Sequence, residues 1–215
     1  MKKIYGPEYA PYSGKKAKKL VIFIHGYGSN GMDLISLVDF FNIELEEFHF
    51  CAPNAPFSFN MGYNSYQWFN LEERSENAIF KSMKENVFYL KDFISNKIKQ
   101  LNLSYKDVFL VGFSQGAMLS LYLAPRLEEE IGGVIALSGA LIKSEFLEND
   151  LKQKPPILLV HGEIDEVVGI DDFFKAKEVL QRLNFNLQTA LIKRMGHSIN
   201  EEVIQLIKHF LSEYR

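Results

Sequence analysis

Val108-Phe109-Leu110-Val111-Gly112-Phe113-Ser114-Gln115-Gly116 is the stretch whose reading decides the fold. Its first four residues form a short, continuous apolar run, the mark of a strand buried on both faces of a parallel sheet. From Gln115 onward the pattern predicts a helix, extending to Glu130. Between them stands Gly-x-Ser-x-Gly. Five residues of that kind arise by chance, but a strand before and a helix after make them a strand–turn–helix elbow. A serine at such a turn sits on strained backbone, and its flanking glycines let neighbouring segments approach without a Cβ clash. The helix N-terminus favours negative charge developing beside it. Ser114 is therefore the candidate nucleophile.

Outward from this element, apolar runs alternate with amphipathic ones. Strands are predicted at Lys19–Ile24, Phe48–Ala52, Val108–Gly112, Val134–Leu137, Ile157–Val160 and Leu187–Lys193. The clearest helix runs from about Glu76 to Leu101. There Ile79, Met83, Val87, Leu90, Ile94, Ile98 and Leu101 make one apolar stripe at spacings of three and four. Further helices are expected at Met32–Phe41, Gln115–Glu130, Asp171–Leu183 and Ile199–Tyr214. Repeated strand–helix units predict an α/β fold: a mostly parallel central sheet with helices on both faces and right-handed crossovers. No repeat, linker or shift in composition divides the chain, so residues 1–215 read as one domain. From Pro53 to Asn70 the chain is rich in Pro, Asn, Ser and aromatics without periodicity, which reads as a long loop, functional or mobile, rather than a surface excursion of no consequence.

A serine needs a base, and there are five histidines. His25 and His161 each end a strand as His-Gly and are expected to hydrogen-bond locally. His49 lies inside a strand and His209 on the terminal helix. His197 follows the last strand and precedes the last helix, within reach of the sheet's carboxyl edge, and is the candidate base. The acid belongs between them, beyond another strand. Asp165, in the exit of Pro156-Ile157-Leu158-Leu159-Val160-His161-Gly162, is the choice. Glu163 and Glu166 read as solvated loop charges, and Asp171 and Asp172 as the cap of the next helix. An oxyanion needs two donors. The Gln115 N–H, just after the serine, is one. The Tyr27 N–H, in the glycine-rich turn His25-Gly26-Tyr27-Gly28, is the other.

Composition narrows the function. With 24 basic and 27 acidic residues the net charge is −3, which argues against a nucleic-acid surface. The basic run Lys15–Lys19 reads as a solvated turn. Cys51 is alone, so no intrachain disulfide is expected, and the N-terminus carries no apolar stretch after its lysines. The longest early apolar run, Leu20–Ile24, is too short to span a bilayer. A cytoplasmic protein without an integral membrane segment is expected.

Together, His25-Gly26-Tyr27-Gly28, Ala52-Pro53-Asn54-Ala55-Pro56, Gln67-Trp68-Phe69, Gly112-Phe113-Ser114-Gln115-Gly116, His161-Gly162-x-x-Asp165-x-Val167-Val168 and Gly196-His197 resemble the phospholipase/carboxylesterase family. That family includes acyl-protein thioesterases and small bacterial carboxylesterases, and the match runs in order over nearly the whole chain. The resemblance implies an α/β-hydrolase fold without a large cap domain, hydrolysing carboxylic esters or thioesters with no metal or coenzyme. It implies Ser114, Asp165 and His197 as a triad and Tyr27 and Gln115 as oxyanion donors, and it places Trp68 near the acyl-binding cleft. Trp68, Phe57, Phe59 and Met61 then read as an apolar substrate wall, or equally as core contacts. Tyr27, Asn70, Gly169 and Ser198 depart from the family's usual Leu, Asp, Pro and Gly, and residues 57–66 fit its pattern poorly. Small or lipid-like esters, lysophospholipids and acylated proteins are the substrates it brings into view, for a monomer or homodimer. A silent binding scaffold is the rival from another class, but such a scaffold tends to lose a triad member. A dienelactone-hydrolase-like enzyme would call for Cys at 114.

Overall fold

Alternation along the second strand divides the molecule into two cores. A computed structural model of the chain describes residues 3–41, 46–59, 62 and 64–214. Strands β1 (Glu8–Tyr9), β2 (Lys19–Ile24), β3 (Phe48–Cys51), β4 (Phe57–Ser58), β5 (Tyr66–Gln67), β6 (Val108–Phe113), β7 (Gly133–Leu137), β8 (Ile157–Gly162) and β9 (Leu187–Ile192) lie among them. Seven form one sheet in the order β1-β3-β2-β6-β7-β8-β9, parallel throughout except for β1 against β3. Leu20, Ile22 and Ile24 enter one core, Val21 and Phe23 the other, as the two-residue period of a strand requires.

Helices cover both faces. On the first lie α2 (Glu76–Asn86), α3 (Phe88–Leu101), α4 (Gln115–Leu123), α5 (Leu147–Asp150) and α6 (Ile170–Arg182); on the second, α1 (Gly31–Ile35) and α7 (Glu201–Ser212). Leu90 and Ile94 of α3, and Ile207 and Leu211 of α7, are fully buried, each contributing about 2 kcal/mol through its apolar area. This is the α/β-hydrolase architecture.

Four predicted elements are corrected. The helix expected over 76–101 is two, separated at Val87. The Asn86 side-chain amide donates to the Ser82 carbonyl at 2.8 Å just before the break, and the Val87 N–H still reaches Met83 O at 2.9 Å. Val87 keeps helical angles, so Met83, Leu90, Ile94 and Ile98 remain on one buried face. Helix α4 stops at Leu123 instead of Glu130, and Pro125 lies in a 3-10 turn after it. The helix expected at Met32–Phe41 is α1 followed by a 3-10 turn, Ser36–Phe40. The loop read at 53–70 contains a hairpin, β4 against β5, tied to the Gly28–Ser29 turn by Gly28 N–H→Tyr66 O and Tyr66 N–H→Ser29 O, both 2.9 Å.

Strand order decides where a site can form. From β2 the chain passes to β3 on one side and later to β6 on the other, so neighbours diverge between β2 and β6. Such a divergence leaves a crevice at the carboxyl ends of the strands. His25 follows β2 there, and Ser114 follows β6.

Candidate active site

Ser114 is the residue between β6 and α4, with φ 54° and ψ −114°. Those angles lie outside the regions a side chain prefers and cost about 1–3 kcal/mol. The turn is held by Ser114 N–H→Leu137 O at 2.9 Å and Met118 N–H→Ser114 O at 3.1 Å. Gly116 lets the elbow seat on β2: a Cβ there would lie 1.9 Å from the Ile24 carbonyl oxygen. Ser114 is 9% exposed, on the wall of a cavity of about 400 Å³ shared with Tyr27, Asp33, Leu37, His197 and Ile199.

Register between β8 and β9 brings two further loops together. Gly162 pairs with Ile192, so Asp165 and His197 leave the same edge side by side. His197 Nδ1 donates to Asp165 Oδ2 at 2.8 Å, and Asp165 Oδ1 accepts the Val167 and Val168 N–H groups, each at 2.9 Å. The Asp165 side chain is fully buried, and burial alone raises its pKa. Hydrogen bonds from His197 and from the Val168 and Val167 N–H groups outweigh this and hold the carboxyl below the ordinary carboxylate range. The Phe113 ring, 4.8 Å from the imidazole between centroids, braces His197 from the other side. Ser114 and His197 share the cavity, but no hydrogen bond joins Ser114 Oγ to the ring among the described residues. Such contacts are commonly loose without substrate.

The two candidate donors flank the serine. Neither the Tyr27 N–H nor the Gln115 N–H is used in a hydrogen bond among the described residues. The Gln115 side chain is a clamp: Oε1 accepts Trp68 N–H at 2.8 Å and Nε2 donates to Phe69 O at 2.7 Å. The Trp68 indole N–H donates to His25 O at 3.0 Å. Sequence reasoning misses this clamp, because its partners are 47 residues apart and no local period marks them.

A model of the phospholipase/carboxylesterase family matches residues 11–214. The chain belongs to that family. Membership places it among carboxylic ester hydrolases. Acyl-protein thioesterase 1 of Candida albicans is 30% identical over 94% of this chain and 96% of that protein. A Dictyostelium discoideum homologue of the same name is 29% identical over 90% and 89%. The crystal structure of esterase PE8 has a TM-score of 0.94 and 36% identity, covering 99% of this chain and 100% of that one.

Within this phospholipase/carboxylesterase framework, the aromatics that read equally as a substrate wall or as core contacts take different places. Trp68 is 1% exposed and packed in the core behind the Tyr27 turn, so its ring does not front the cavity. Its large ring gains most from full burial because its N–H finds a carbonyl there. Phe59 stands against Tyr27, ring centroids 4.5 Å apart. Phe57 is 37% exposed and meets Tyr89 edge-on at 5.8 Å. Met61 lies outside the described residues. Among those residues no His, Cys, Asp or Glu group is arranged to hold a metal, and no helix is long and apolar enough to cross a membrane.

The two His-Gly histidines bond locally, as expected. His161 Nε2 is 2.9 Å from Val168 O and 3.6 Å from Asp165 Oδ2. His25, with no exposed surface, has its pKa lowered to about 4; burial drives the drop against opposing effects of the Gly26 carbonyl and Asp33. The unfolded chain gains this proton near pH 6.5, but the folded one refuses it until about 4. Stability is therefore full above 6.5 and falls through that window, by about 3 kcal/mol in all. Urea unfolding at pH 7, 5.5 and 4.5 checks this. The acid loss should shrink by about that amount in His25→Asn, and an unchanged slope would exclude His25 as its source.

Proposed function

We propose that this protein is a serine carboxylesterase that hydrolyses carboxylic esters or thioesters through an acyl-enzyme on Ser114. The observation that carries the reading is the 2.8 Å hydrogen bond between buried Asp165 and His197, which shares a cavity wall with Ser114. His197 takes the serine proton as Ser114 attacks the carbonyl carbon, and Asp165 keeps the proton on Nδ1 and stabilises the imidazolium. The Tyr27 and Gln115 N–H groups receive the oxyanion, and the N-terminus of α4 favours its charge. His197 then protonates the leaving oxygen or sulfur, and water enters by the same route to release the acid. Phe59 and Phe57 supply an apolar wall for the acyl group, with Trp68 as its support from behind. The lone buried Cys51 accords with work in the cytoplasm.

Labelling with a fluorophosphonate tests the reading directly. One equivalent should attach, and peptide mass mapping should find it on Ser114. Label on any other residue, or none on folded protein, would overturn it.

A further inference from the structure

The position of His25 bears on the geometry of the oxyanion site. Its Nε2 accepts the Ala55 N–H at 3.0 Å, so that nitrogen carries no proton. The proton of this neutral ring is consequently on Nδ1, which donates to the Gly26 carbonyl oxygen at 2.7 Å. That oxygen also receives the Ser29 N–H at 3.3 Å. The Gly26 C=O and the Tyr27 N–H are two ends of one rigid peptide plane and point in opposite directions across it. Whatever holds the carbonyl aims the N–H.

We propose that His25 is a positioning residue for the oxyanion site, turning the Gly26–Tyr27 peptide so that the Tyr27 N–H faces the carbonyl oxygen of the bound ester. The inference rests on the proposed serine mechanism and adds to it a side chain that touches no substrate. Three observations support it. His25 is fully buried, and both its ring nitrogens are engaged. Its own carbonyl is held by the Trp68 indole, so the residue is fixed at main chain and ring alike. The Tyr27 N–H has no protein partner among the described residues, whereas the Gly28 and Ser29 N–H groups are used.

Two substitutions separate the ring nitrogens. His25→Asn keeps a donor near the Nδ1 position and loses the Nε2 acceptor; His25→Gln keeps an acceptor near Nε2 and loses the Nδ1 donor. Removing one oxyanion donor costs about 10²–10³ in kcat, so a misaimed one should cost about 30- to 100-fold. His25→Gln is expected to lose that much kcat on a p-nitrophenyl ester, with KM within about threefold. Affinity for an aryl trifluoromethyl ketone, whose serine adduct carries an oxyanion, should weaken by about the same factor as kcat. His25→Asn should stay within about fivefold of wild type in both. A His25→Gln enzyme with kcat within threefold of wild type, or an Asn variant as impaired as the Gln one, overturns the proposal. If His25→Gln does not fold, the Asn variant decides alone: retention within fivefold supports it, and a tenfold or larger loss overturns it. Ser114→Gly in the same assay guards the parent reading. Turnover there sinks the serine mechanism itself, whereas a dead Ser114→Gly beside a normal His25→Gln sinks only the role of His25.

Discussion

A Ser114→Gly variant is expected to lose about six orders of magnitude in kcat and to become more stable than the wild type. The first effect follows from the proposed acyl-enzyme: with no oxygen at that position no acyl group can be held, and only a residual rate from substrate binding and the oxyanion donors remains. The second follows from the backbone. At φ 54° and ψ −114° a serine stores about 1–3 kcal/mol that glycine does not. Glycine returns part of this as extra freedom in the unfolded chain, about 0.5–1 kcal/mol, leaving a gain of up to about 2.5 kcal/mol. Ester turnover and urea unfolding of the same preparation measure both. A fall in stability would show that the elbow is not strained in the sense argued, and retained turnover would remove Ser114 from the chemistry.

Asp165→Asn should cost about 10⁴ in kcat with little change in KM. The carboxylate is acceptor for three N–H groups, from His197, Val167 and Val168. An amide of the same shape offers one acceptor oxygen and one donor. If the oxygen stays with the two valines, the amide N–H₂ faces His197 Nδ1 and drives the ring proton to Nε2, where it blocks uptake of the serine proton. Stability also becomes less dependent on acid. The native carboxyl lies below its ordinary range, so its contribution is present above the unfolded pKa and disappears as pH falls through the folded one. The asparagine has no such term. Steady-state kinetics with labelling rates measure the first effect; a loss below about tenfold would argue that Asp165 does not orient the base.

What could be read from the chain depends on how local the cause is. Strand β6 is legible because Val108–Val111 is apolar on both faces and ends in glycine, and β2 and β8 are legible for the same reason. The places of Ser114, Asp165 and His197 follow from those strand ends, and so does the meeting of Asp165 with His197, since parallel register carries both to one edge. The hairpin β4–β5 is not legible, because two-residue strands have no period to detect. Strand β1 escapes likewise. Glu8 and Tyr9 are exposed, and their pairing with β3 is accompanied by contacts of Glu8 with His49 and with Lys97 of α3, 89 residues away. Trp68 fits either a cleft or a core by its chemistry, and only the tertiary partner of its indole N–H decides for the core. The break at Val87 leaves the apolar stripe continuous, so no change of period marks it in the sequence.

The β4–β5 hairpin is anchored at its base. Phe57 faces Gln67 and Ser58 faces Tyr66, Phe59 N–H reaches Ser65 O at 2.7 Å, and beyond Gln67 the chain is locked by Trp68 to Gln115 and His25. The base of the hairpin is thereby tied to the same turn that carries the Tyr27 N–H. A change at Tyr66 or Trp68 therefore reaches the donor turn through the main chain, and the hairpin and the elbow answer to one another as a single unit.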